Sequence, residues 1–90
     1  MIKNASGQSI GAELVSSVDG TAFAGVVTVY ITGDNGVQAI GTVWAGLCTN
    51  EGNWWYSYSP SQAETNYDHI AFAFTGSGAI PAGVQVFTDV

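Results

Sequence analysis

Hydrolytic chemistry needs a nucleophile, a base within hydrogen-bond reach of it and a group to orient that base. This chain offers a single histidine, His69, and a single cysteine, Cys48. Asp68 precedes His69, but neighbouring side chains on a strand project to opposite faces, so the two cannot form a dyad with each other. One His and one Cys also fall short of the ligands of a structural zinc site. Calcium would need several oxygens from one tight loop, and the best groups are Asp34 with Asn35, and Asn50 with Glu51 and Asn53. Neither has the spacing of a calcium loop, and ordinary turn chemistry accounts for both. The glycines lack a Lys-Ser or Lys-Thr partner and a following helix, so no phosphate loop is expected. The expectation is a chain that is not an enzyme, with no catalytic residue, no cofactor and no metal.

The residues that do call for explanation are aromatic. Trp44, Trp54, Trp55, Tyr56 and Tyr58 fall within fifteen positions of one another. Strand alternation places Trp54 and Trp55 on opposite faces, so one is expected in the core and the other against solvent, a ligand or a partner. The outward ring has three readings: a platform for a sugar with Tyr hydroxyls and Asn53 beside it, an anchor of a protein interface, or a cover beneath a loop of its own domain. The interface is favoured, and these five residues are the candidate partner-binding group.

The reason lies in the surface. Hydrophobic residues make up 47% of the chain and charged residues 9%, against roughly 25% charged in a typical soluble domain. So few charges leave little with which to decorate a fully wetted exterior, so part of it is expected to be covered. Seven acidic residues face one basic residue, Lys3, for a net charge of −6. Binding to nucleic acid or to anionic lipid is thereby disfavoured, because neutralising phosphates requires Lys and Arg. The abundance of β-branched and aromatic residues rules out a disordered chain. No apolar run of signal-peptide or transmembrane length is present, so a protein made and kept in a cytoplasm until assembly is expected.

The elements that must position these groups are strands. Val, Ile and Thr number 24, whereas Leu, Met, Lys, Arg and Glu together number seven, an inventory that disfavours helix and favours pleated sheet. Residues 10–18 read as a first strand anchored by Leu14 and Val18 and closed by Asp19-Gly20. Residues 23–32 form the clearest strand, with Val27, Val29 and Ile31 on one face. A turn at 33–36 leads to a short strand at 37–40 and a weaker one at 42–47. A polar reversal at 50–53 precedes a strand at 54–59, and 60–65 has the character of one helical turn. Residues 67–75 place Ile70, Phe72 and Phe74 on a buried face, with His69 on the other, and 84–88 supply the last strand. About seven short strands with turns every 8 to 12 residues predict a single all-β domain over 10–90, a small antiparallel β-sandwich, with a five-stranded barrel as the competing architecture. The polar stretch 1–9 reads as an N-terminal arm that orders on a partner or by adding to a sheet edge. Cys48 reads as a small buried hydrophobe.

Three stretches carry a resemblance: residues 51–60 (EGNWWYSYSP), 63–65 (AET) and 70–81 (IAFAFTGSGAIP). A glycine followed by an aromatic strand, a proline, an ET corner and then an apolar strand ending in a small-residue turn and a proline resembles the immunoglobulin-like accessory domains of tailed-bacteriophage virion proteins. These include N-terminal domains of baseplate upper proteins and head or tail decoration domains. Asp19-Gly20, the strand after it and the Gly33–Gly36 turn are similar to the first half of such domains. The likeness runs from about Leu14 onward; the doubled Trp54-Trp55 departs from the smaller residues found there. The resemblance implies an immunoglobulin-like β-sandwich of about seven strands, no catalytic residues, a capsid or tail protein as partner in a symmetric multi-copy assembly or homo-oligomer, and a place in the virion. The alternative is a carbohydrate-binding module for a host surface glycan, using the same aromatic strand with Asn50, Glu51 and Asn53.

Overall fold

A computed structural model of the chain describes residues 1–21, 23–34, 36–52 and 55–88. Seven strands alternate with short turns: β1 (Ile10–Glu13), β2 (Thr28–Gly33), β3 (Ala39–Ile40), β4 (Thr49–Gly52), β5 (Trp55–Tyr58), β6 (His69–Thr75) and β7 (Ala82–Phe87). They form two antiparallel sheets, ordered β1-β5-β4 and β3-β2-β6-β7. That arrangement matches the B-E-D and C′-C-F-G order of an immunoglobulin sandwich, with the A position unfilled among the described residues. A two-sheet sandwich, not a barrel, is what the strand pattern specifies.

Strict alternation builds the core. On β2, Val29 and Ile31 point inward, and on β6 Ile70, Phe72 and Phe74 do the same. Their partners in the facing sheet are Ala12 of β1 and Tyr56 and Tyr58 of β5, and Leu14, Val27, Cys48 and Ala79 complete the cluster from flanking segments. Burial of this apolar face, at about 25 cal/mol per Å², is the main stabilising term for a domain with no disulfide. Burial also pushes the Cys48 thiol up to about 11, so it stays protonated and inert near neutrality.

Several elements fall elsewhere than the residue types predict. The first strand stops at Glu13, and Val18 is exposed, not an anchor. Beyond Leu14 the chain folds on itself: Thr21 donates from its amide and hydroxyl to Asp19 Oδ1, and Ser16 N donates to Thr21 O. β2 begins at Thr28 instead of residue 23. Phe23 is held in a loop with its ring against Tyr56. Residues 49–52, expected largely as a reversal, form β4, and residues 42–47, expected as a strand, form an extruded turn. The helical turn expected in 60–65 is present as Ala63–Thr65.

The stretch 1–9 is docked. Asn4 N donates to Thr65 O, Thr65 Oγ1 accepts from Ala5 N, and Gln8 closes the segment on itself through the backbone of Ile2 and Ala5. It therefore lies on the turn before β6, not along a sheet edge. The exposed Lys3–Asp68 pair at 2.8 Å adds little to that docking.

Candidate functional site

The β2 edge explains how the most prominent aromatic comes to be displayed. Gly41 N donates to Val29 O and Cys48 N donates to Val27 O, so residues on both sides of 42–46 pair with consecutive stretches of the same edge. The intervening residues are extruded as a tight reversal. Trp44, Ala45 and Gly46 all take positive φ (54°, 52° and 79°), and Leu47 N closes the turn onto Trp44 O. Left-handed backbone is unfavourable for a residue with a Cβ, so local preference opposes this conformation at Trp44 and Ala45. Trp44 stands at its tip, 81% exposed.

Tertiary bonds over-determine the turn. Glu64 is the hub: Oε1 accepts from the Tyr58 hydroxyl (2.6 Å) and Ser61 N (2.9 Å), while Oε2 accepts from Thr42 N (2.8 Å). Tyr58 Oη in turn accepts from Val43 N. Ser61 and Glu64 also reciprocate, Glu64 N donating to Ser61 Oγ, which makes a capping box of the S-x-x-E pattern. Burial pulls the Glu64 carboxyl upward, but the donors from Tyr58, Ser61 and Thr42 outweigh it and leave its pKa below the ordinary value. Burial together with the Glu64 hydrogen bond pushes the Tyr58 phenol up to about 12.

The strain at Ala45 yields a test. A glycine there escapes the left-handed penalty but gains unfolded-state entropy, for a net stabilisation of a few tenths of a kcal/mol, whereas Ala45→Val is expected to cost roughly 1–2 kcal/mol. Urea midpoints should therefore rank Gly above Ala above Val. The reverse order would be expected of an extended strand.

Trp55 occupies the outer face of the β1-β5-β4 sheet, 46% exposed, with its indole lying across Gly11 of the neighbouring strand, where a Cβ would collide with the ring. Glu13 pairs opposite it and Ser57 opposite Gly11. Ser57 also lines a small cleft of about 110 Å³ with Trp44, Leu47, Thr49 and Ser59. Trp44, Ser57 and Trp55 thus belong to one outer surface, apolar at its rings and hydroxylated between them. Glu51, the extra residue at the β4 bulge, accepts from Ser57 Oγ at its margin.

Of the five aromatic candidates, the structure brings Trp44 and Trp55 to this surface and removes two. Tyr56 and Tyr58 are 1% and 3% exposed and belong to the core, because they alternate with Trp55 on a strand whose inner face meets β6. Trp54 lies outside the described residues, as do Asn35 and Asn53 of the two oxygen-bearing turns. Asp34 Oδ1 accepts from the amides of Asp68 and His69, tying off the start of β6. Asn50 instead supports Tyr56 and Gly52. His69 rests on Phe87, ring centroids 4.9 Å apart, with Nε2 3.0 Å from Gln85 Oε1. Among the described residues no three His, Cys, Asp or Glu side chains converge as metal ligands. Among the described residues no helix is long and apolar enough to cross a membrane. Glu64 was the residue that aromatic pattern and charge did not single out, although the S-x-x-E spacing of Ser61 and Glu64 was its visible signal.

No family model, curated protein or solved structure matches this chain.

Proposed function

We propose that the chain is a non-enzymatic structural module of a tailed-phage virion, decorating or cementing the capsid or attaching to the tail through the Trp44 turn and the outer face of β1-β5-β4. The observation that carries the reading is Trp44: an indole held almost fully in solvent on a backbone that local preference opposes and that Glu64 and Tyr58 enforce. A strained, over-determined loop presenting a large aromatic is the arrangement expected of an interface anchor. Trp55 on the same surface and the scarcity of charge add to it. In a symmetric shell each copy needs only modest affinity, since multiplicity supplies the rest. The partner is then a capsid or tail protein or further copies of this chain, and neither nucleic acid nor membrane is needed.

Quantitative mass spectrometry of particles made by the genome that encodes the chain tests this directly. A ratio near one copy per major capsid subunit, or a few per cent of it, is expected; absence from purified particles overturns the reading. Trp44→Ala should reduce incorporation by at least roughly tenfold, the effect of losing a central aromatic anchor.

A second reading, recognition of a surface glycan, is favoured by the hydroxyls of Thr49, Ser57 and Ser59 in the cleft beside Trp44. Quenching of tryptophan emission by a soluble glycan, lost in Trp44→Ala, would support it over the scaffold.

A further inference from the structure

Exposed strand edges invite pairing with another chain unless they are short, charged, bulged or interrupted by proline. Three of the four edges here are blunted in this way. β3 is two residues long, β1 is four and ends on Glu13, and β4 is bulged between Asn50 and Gly52 and carries Glu51. β7 is the exception: Ala82–Phe87 runs in unbroken register with β6 and holds no charge, proline or bulge.

The ladder fixes which backbone groups of β7 are free. Thr88 N donates to Asp68 O on one side of β6 and Asp34 N donates to His69 O on the other, so Ile70, Phe72 and Phe74 bond Val86, Val84 and Ala82. The amides and carbonyls of Gly83, Gln85 and Phe87 therefore point away from β6, where among the described residues no backbone group meets them. Side chains alternate in step: Val84 and Val86 pack on the core, whereas Gly83, Gln85 and Phe87 stand on the outer face, with Phe87 74% exposed. A Cβ at Gly83 would meet nothing within 4 Å. The strand thus presents a ring near one end and an empty seat near the other.

We propose that β7 pairs antiparallel with β7 of a second copy of this chain about a two-fold axis at Gln85, joining two four-stranded sheets into one. In that register Gly83 lies opposite Phe87 at both ends, so each ring covers the other copy's glycine, as Trp55 covers Gly11 and Tyr67 covers Gly33 within one copy. Gly83, Gln85 and Phe87 then exchange both backbone bonds with their partners, and Val84 meets Val86 on the inner face. A slip of two residues sets Phe87 against Pro81 or Gln85 and leaves Gly83 without a ring. Ring and seat on one strand, at the spacing a two-fold axis demands, select a second copy over an unrelated strand. An edge about 20 Å long buries less than the roughly 1,200 Å² of a stable complex, so the dimer is weak. The edge is separate from the tryptophan surface and stands whether or not the chain belongs to a virion; absence from particles would not touch it, and its failure would leave the Trp44 surface intact.

The test is a concentration series of the isotope-labelled chain up to about 2 mM, in about 0.15 M salt to screen the two like-charged copies. Sedimentation is expected to show a monomer–dimer equilibrium with a Kd of roughly 0.1–1 mM. Hydrogen exchange of the Gly83, Gln85 and Phe87 amides should slow at least about twofold across the series, while the Val84 and Val86 amides, already bonded to β6, stay unchanged. In a mixture of labelled and unlabelled copies, filtered NOEs should join the Phe87 ring of one copy to Gly83 of the other. Gly83→Glu fills the seat and adds like charge where the monomer has room, so it should fold and remain monomeric throughout. Phe87→Ala, at an exposed position, should weaken the dimer at least roughly fivefold. A monomer at the highest concentration, a dimer that persists in Gly83→Glu, or slowing confined to amides around Trp44 would each overturn the proposal.

Discussion

Glu64→Ala is expected to lower the stability of the domain by about 3 kcal/mol, because it strands the Tyr58 hydroxyl and the amides of Thr42 and Ser61 together, each a buried or half-buried donor whose loss of partner costs roughly 1–3 kcal/mol before water compensates. At this size that is a fall in Tm of roughly 15 °C. Glu64→Gln should cost less, near 2 kcal/mol, since one amide oxygen replaces two carboxylate oxygens. The pH dependence separates the charge from the packing. The folded carboxyl lies below its ordinary value of 4.5, so its stabilisation is complete above that value and is lost as pH falls through the folded one. Tyr58 acts at the opposite end: its folded pKa of about 12 exceeds the ordinary 10.0, so its contribution is complete below 10.0 and is lost as pH rises toward 12. Urea unfolding of the wild type should therefore weaken on both limbs. Glu64→Gln should flatten the acid limb and Tyr58→Phe the alkaline one. Unaltered limbs in both variants would mean that the Tyr58–Glu64 pair does not hold the turn.

The same hub explains which parts of the molecule were legible in the residue types. β2 and β6 were, because Val27, Val29 and Ile31, and Ile70, Phe72 and Phe74, repeat at the strand period with smaller residues between them, and each strand is sandwiched at the centre of its sheet. The region 42–52 was inverted. Val43, Trp44 and Leu47 favour a strand, yet the chain there leaves the β2 edge in a left-handed turn fixed by Glu64 and Tyr58, which lie 22 and 15 positions from their respective partners Thr42 and Val43. Thr49, Asn50, Glu51 and Gly52 favour a turn, yet they become β4 because β5 offers a ladder and the crossing between sheets must be made there. In both places pairing distant in sequence overrides local preference, which spans only about 1 kcal/mol per residue. Tyr56 and Tyr58 were misassigned for another reason. Alternation separates them from Trp55, but aromatics stand on both faces of β5, so the pattern alone does not say which face is inside. Gly11 decides it: on the outer face it makes a flat seat for an indole, and on the inner face Phe23 and Glu64 supply partners for two phenols.

Adjacent substitutions on β5 put that assignment to the test with the largest contrast available in the molecule. Tyr56→Ala removes a ring packed at 6.4 Å from Phe23 together with a hydroxyl that donates to Phe23 O at 2.8 Å and accepts from Asn50 Nδ2 at 3.3 Å. The lost transfer energy, the cavity and the stranded partners together are expected to cost about 4 kcal/mol. Trp55→Ala deletes a larger side chain, yet one that keeps nearly half its surface in water, with its ring lying across Gly11, so its expected cost is about 1 kcal/mol. Equilibrium urea unfolding at neutral pH reads both. The folded Trp55→Ala protein can then be carried into a partner-binding assay, where any loss reports on the surface and not on unfolding. If the ranking came out reversed, β5 would be paired one residue out of register, with Trp55 inward and the phenols outside, since a slip of one residue exchanges the faces of a strand. The Tyr58–Glu64 bond and the enforced Trp44 turn would then fail with it.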